Sequence, residues 1–185
     1  MEVERGTFCE CLPNPSSDSP SPQMRECGPC TACCTVFAIS ELEKGMFETC
    51  RHVCETGCAV YRDRPEPCSA FQCQWLRGVL EVDGAVDPAL RPNASGVIID
   101  FQPKTEDGDL YVAWEIWPGA SDSEPARTVL EELTEQFLVM IVTRGSEGDH
   151  GVGDRRFLGP ADRVAQANER MAGSRKRLRL RVYGQ

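Results

Sequence analysis

Hydrophobic and polar positions sort most clearly in the second half of the chain. "GVIIDF" (96–101) and "LYVAWEIW" (110–117) are rich in β-branched and aromatic residues, and the "QPKTEDGD" between them carries Pro, Asp and Gly turn residues. This pattern predicts a β-hairpin. "SDSEPARTVLEELTEQF" opens on Ser and Asp, is acidic early, and spaces Val129, Leu130, Leu133 and Phe137 at helical intervals, which predicts a helix from about 123 to 136. In "FLVMIVTRG" the β-branched Val139, Ile141, Val142 and Thr143 ahead of Gly145 favour a strand over a continuing helix. A second helix is expected from Pro160 to about Met171. "RKRLRLRVYG" alternates Arg177, Arg179 and Arg181 with Leu178, Leu180 and Val182, the period of a strand with one basic face. Trp114 and Trp117 are read as core anchors.

The first half follows neither period. Residues 12–24, LPNPSSDSPSPQM, are rich in Pro and Ser and nearly free of large apolar groups, as expected of a flexible tether. Cys9 and Cys11 lie beyond it, and every other cysteine falls between Cys27 and Cys73. The expected organisation is a flexible tail (1–24), a cysteine-cluster segment (25–78) and an α+β remainder (79–185) packed with it as one domain. The expected fold class is therefore α+β: a cysteine-rich, metal-stabilised segment on a small, mainly antiparallel sheet with two or three helices.

Composition narrows what the cysteines can be. At 185 residues with 41% hydrophobic and 26% charged positions, the chain can bury a core without covalent staples. Its net charge of -9 argues against a general nucleic-acid or anionic-membrane surface. The opening MEVERGTFCE has no apolar core, so no export signal is read and a cytoplasmic protein is expected. Reduced thiols are the rule in that compartment, and an odd count of eleven cysteines fits full disulfide pairing poorly, so the pattern points to metal.

The spacing is C-x2-C-x2-C-C from Cys27 to Cys34, followed by Cys50, Cys54, Cys58, Cys68 and Cys73. A C-x2-C unit folds back so that both sulfurs face one ion, and Gly28 and Pro29 suit that turn. A third cysteine two residues on extends the arc, as in runs that grip an iron–sulfur cubane. Adjacent side chains point to different faces, so Cys33 and Cys34 are expected to reach two neighbouring centres. Cys50, Cys54 and Cys58 fall at i, i+4 and i+8, predicting a short helix that stacks them, ended by Gly57. Pro65 and Pro67 are expected to hold the loop before Cys68 rigid and extended.

These residues resemble the YkgJ-type cysteine-cluster family, described as a zinc- or iron-chelating domain with a CxxCxxCC signature. The likeness runs through "CGPCTACC", "CRHV" (50–53), "GCAVYRDRPEPC" (57–68) and "FQC" (71–73), about a quarter of the chain. The resemblance implies the ligands Cys27, Cys30, Cys33, Cys34, Cys50, Cys58, Cys68 and Cys73, enough for two four-sulfur centres. Cys54, Cys9 and Cys11 lie outside the family pattern. The triple spacing leans toward iron–sulfur, whereas structural zinc usually takes separated C-x2-C pairs.

Thiolate centres carry excess negative charge, for which Arg25, Arg51, Arg62, Arg64 and Arg77 are nearby in sequence, with Arg64 the best placed between Asp63 and Pro65. His52 is read as exposed or hydrogen-bonded rather than ligating, and "GSEGDHGVGD" around His150 as a mobile loop without a phosphate or calcium motif. The function expected is metal binding, with iron (as iron–sulfur) or zinc as cofactor. An iron–sulfur enzyme with redox or protein-modifying activity, and a zinc-stabilised interaction module, are the alternatives. The expected partner is a metal ion. Neither membrane nor nucleic acid is expected, and a protein partner is left open.

Overall fold

The computed structural model describes residues 25–80, 87–106, 108–145 and 151–173. Cys9, Cys11, the tail 1–24, His150 and the basic segment 177–182 lie outside them. The molecule is α+β. A two-stranded hairpin of β1 (Val53–Cys54) and β2 (Gly57–Cys58) belongs to the cysteine segment. A four-stranded sheet runs in chain order through β3 (Val97–Thr105), β4 (Gly108–Glu115), β5 (Leu138–Arg144) and β6 (Val152–Leu158). Its β3–β4 and β5–β6 pairs are antiparallel, and β4–β5 is parallel. A parallel pair needs a crossover, and the helix between those strands supplies it. Helices α1 (Ala32–Val36), α2 (Glu66–Ala70) and α3 (Pro92–Ser95) are single turns, whereas α4 (Glu124–Thr134) and α5 (Ala161–Gly173) are full helices.

Both faces of the sheet are buried, which explains why β5 reads as a continuous apolar run rather than an alternating one. One face carries Val97, Ile99, Tyr111, Ala113, Val139 and Ile141 against Ala126, Val129 and Leu130 of α4. The other carries Ile98, Leu110, Val112, Trp114, Leu138 and Met140. That face receives the cysteine segment through Ala32, Val36, Phe37, Phe47 and Phe71, beside Ala167 of α5. Phe37 packs edge-on to Phe71 at 4.7 Å and to Trp114 at 5.4 Å, so the segment and the sheet share one core. The backbone joins them too, since Gln74 N–H donates to the Ile99 carbonyl at 2.8 Å along the edge of β3.

Four expectations are corrected. The cysteines at 50, 54 and 58 do not share a helix: Val53 is β-branched, Gly57 takes a φ of 131°, and the chain turns back as β1–β2. Cys68 does not follow an extended loop but sits in α2, where Pro67 occupies the first turn, the one helical place that loses nothing by lacking an N–H. The region read as a loop before residue 155 contributes Val152, Gly153 and Asp154 to β6. Trp117 is 43% exposed and lies over Gly96, while Trp114 is buried as expected. The helices read at 123–136 and 160–171 correspond to α4 and α5, and the strand read in 137–145 corresponds to β5.

Candidate metal centre

Local chain chemistry brings the cysteine loops together. Cys30 N–H closes the first turn on the Cys27 carbonyl at 2.9 Å, with Gly28 at a φ of 50°. The next turn of chain is α1, which carries Cys33 and Cys34. Cys50 N–H then donates to the Cys34 carbonyl at 2.9 Å, drawing the hairpin loop against α1. Gly57 lies so close to the first turn that a Cβ there would stand 2.3 Å from the Gly28 carbonyl oxygen. Its lack of a side chain lets the β1–β2 hairpin abut the Cys27–Cys30 turn.

These contacts enclose a cavity of about 80 Å3. Cys27, Cys30, Cys33, Cys34, Cys50, Cys58, Cys68 and Cys73 all line it. Cys54, the ninth cysteine of the segment, does not, because the turn of the hairpin carries it to the far side. The remaining wall is apolar at Phe37, Ile39, Leu42 and Ile98, and cationic at Lys44 and Arg64, with His52 and Tyr61 beside them. Among the described residues no Asp or Glu lines it, in a chain with 29 of them. Of the five arginines considered for charge compensation, only Arg64 reaches the cavity, whereas Arg25 donates instead to the Trp75 carbonyl at 2.7 Å. Among the described residues, no group of three or more His, Cys, Asp or Glu side chains converges at the spacing of a single ion.

Cys33 and Cys34 both line this one cavity. Their side chains are hydrogen-bonded to each other, and both line the same wall. Adjacent helical residues are about 100° apart, and a cavity that wraps the end of a one-turn helix meets both. That hydrogen bond sets their acidities apart. It raises Cys33 well above the usual thiol range, with burial adding to the effect. It lowers Cys34 to about 7 against the opposing effect of burial, helped by the charges of Lys44 and Arg64.

Four further thiols, Cys27, Cys58, Cys68 and Cys73, are raised in the metal-free chain. Burial pushes Cys68 up to about 11, and the neighbouring Cys34, Cys50 and Cys58 add to it. Burial likewise takes Cys73 to about 11, against hydrogen bonds from backbone N–H groups nearby. Cys27 and Cys58 are raised by burial as well, with Cys27 partly relieved by a hydrogen bond to Tyr61. Arg64 stacks over the Tyr61 ring at 4.0 Å. Burial opposes the Arg64 charge, but Tyr61 and the sulfurs of Cys27 and Cys33 outweigh it.

Two supports were not foreseen from the sequence. Arg91 reaches 64 residues back to donate to the Cys27 carbonyl and, at 3.3 Å, to that of Glu26, while stacking on Trp75 at 5.1 Å. Lys44 enters the cavity wall from the loop after α1. Neither carries a local signal, because Arg91 acts across the fold and "LEKG" reads as ordinary surface. Tyr61 lay inside the recognised "YRDRP" stretch but without a role.

Comparison with protein-family models, with curated proteins and with solved structures returned no match.

Proposed function

We propose that this chain is a metal-binding protein whose eight cavity cysteines hold iron, as an iron–sulfur centre, or zinc. The observation that carries this reading is that the eight sulfurs singled out by their sequence pattern line one cavity, whose wall has no carboxylate among the described residues. Thiolate is the ligand of zinc, iron–sulfur and other soft centres, whereas calcium, magnesium and manganese prefer oxygen, so the donor set suits the first group and not the second.

Iron–sulfur is preferred. Four sulfurs on one zinc ion at about 2.3 Å must stand about 3.8 Å from one another. Zinc loading therefore demands that the loops draw in, because no three of the sulfurs stand within reach of one ion. The preference rests on the C-x2-C-x2-C spacing from Cys27 to Cys33, the pattern of runs that grip a polynuclear centre. When bound, such a centre supplies a structural crosslink or a one-electron site. The chain's own residues supply the thiolates, Tyr61 and Arg64 beside Cys27, and an apolar wall that limits water. No separate observation favours the enzymatic or interaction-module alternatives.

Anaerobic purification with elemental analysis and a visible spectrum tests the proposal. Brown protein with iron and inorganic sulfide supports the iron–sulfur form. Colourless protein holding zinc overturns that preference and keeps the thiolate centre. Protein without metal whose cavity thiols all react while folded overturns both.

A further inference from the structure

Lysine is almost never fully buried without a partner, yet Lys44 is only 6% exposed. Its Nζ donates to the Phe37 carbonyl and to the Gly45 carbonyl at 3.2 Å. Carbonyls satisfy its hydrogen bonds but not its charge, and an uncompensated buried charge is strongly unfavourable. Among the described residues no carboxylate stands within ion-pair distance of it. Glu48, four residues on, accepts from the Gly45 N–H at 2.8 Å and acts on the Lys44 charge only from beyond ion-pair distance. What shares the cavity wall with Lys44 is sulfur: Cys50, Cys34 and Cys33 line the same space and act on its charge, the first two ahead of the Glu48 carboxylate, which lies outside the cavity.

The loop that presents Lys44 is fastened at both ends. Ile39 and Lys44 exchange backbone hydrogen bonds at 3.0 and 3.1 Å, and Phe47 N–H donates to the Val36 carbonyl at 2.8 Å. Glu43 takes the left-handed conformation, with a φ of 53°, to close that turn. A non-glycine residue adopts it only where the surroundings demand it. The ammonium is therefore fixed in place rather than resting against the cavity by chance.

We propose that Lys44 is the built-in counter-ion of the thiolate centre, a positioning residue that acts through Cys34 and Cys50 and makes an anionic centre tolerable in a low-dielectric wall. This rests on the metal-binding reading above. A centre with four thiolates per divalent ion carries about two excess negative charges, and Lys44 with Arg64 offsets them where water cannot.

The test is competition for Zn2+ between a chromogenic chelator and the full chain, comparing the unaltered protein with Lys44→Gln and Lys44→Arg. Glutamine can still donate to the Phe37 and Gly45 carbonyls but has no charge, whereas arginine restores the charge. The expected result is that K44Q holds Zn2+ about 10–100-fold more weakly, as for the loss of other residues that support metal ligands. K44R should recover most of the loss, and metal-free K44Q should unfold no more easily than the metal-free unaltered protein. Equal affinity in K44Q and the unaltered protein overturns the counter-ion role, as does an equal loss in K44R and K44Q. An unaltered protein that takes up neither Zn2+ nor, on anaerobic reconstitution, iron with sulfide overturns the metal reading itself, and that outcome is distinguished by measuring it first.

Discussion

Cys68 and Cys73 show what the cavity does to a thiol. Each is held near 11, above the range of about 8.5 for a free cysteine, because burial penalises the thiolate. The folded metal-free chain therefore keeps these protons where the unfolded chain releases them. Their contribution to stability is fully present below the unfolded pKa and is lost as pH rises through about 11. Denaturant unfolding of the metal-free protein should accordingly show a lower midpoint near the upper end of that window than at neutral pH. The metal-loaded protein should show little change, because its sulfurs are already deprotonated. A metal-free midpoint that holds steady or rises across the window would contradict the burial of these thiols.

At the scale of elements, the site depends on a backbone contact that only glycine permits. Placing alanine at Gly57 would drive a Cβ into the Gly28 carbonyl and force an L residue to a φ of 131°. Gly57→Ala should destabilise the fold by about 1–3 kcal/mol and weaken metal retention together. Gly173→Ala, where nothing lies within 4 Å, should change neither, and denaturation of both variants checks the contrast.

The elements that were legible are those whose period is set by a core. The hairpin, α4, β5 and α5 all carry enough apolar residues at one spacing to identify them. β6 was not legible because it is an edge strand with only Phe157 buried and Gly153, Asp154, Arg155 and Arg156 in its middle. Cys50, Cys54 and Cys58 misled for a different reason. Ligand spacing mimics helical spacing, and the turn conformation at Gly57 overrides it. That these eight cysteines belong together was legible because cysteines advertise themselves, and they line one cavity, whereas Lys44 and Arg91 arrive through tertiary packing that no local pattern encodes.

Across the whole molecule, the cysteine segment and the sheet stand or fall together. Phe37 touches Phe71, Trp114 and the cavity at once, so it couples the site to the core. Phe37→Ala should cost about 3–5 kcal/mol and still leave one cooperative transition, with tryptophan fluorescence and circular dichroism coinciding. Separate transitions would divide the chain into two independent units. No helix among the described residues is long and apolar enough to cross a membrane.

The central claim is that eight sulfurs form one metal-holding wall, and the most direct test is a combined metal and thiol count on anaerobically purified, folded protein. The predicted result is bound iron with sulfide, or zinc, with Cys27, Cys30, Cys33, Cys34, Cys50, Cys58, Cys68 and Cys73 shielded from a thiol reagent until the metal is removed. Folded protein with no metal, in which all eight react, would contradict it.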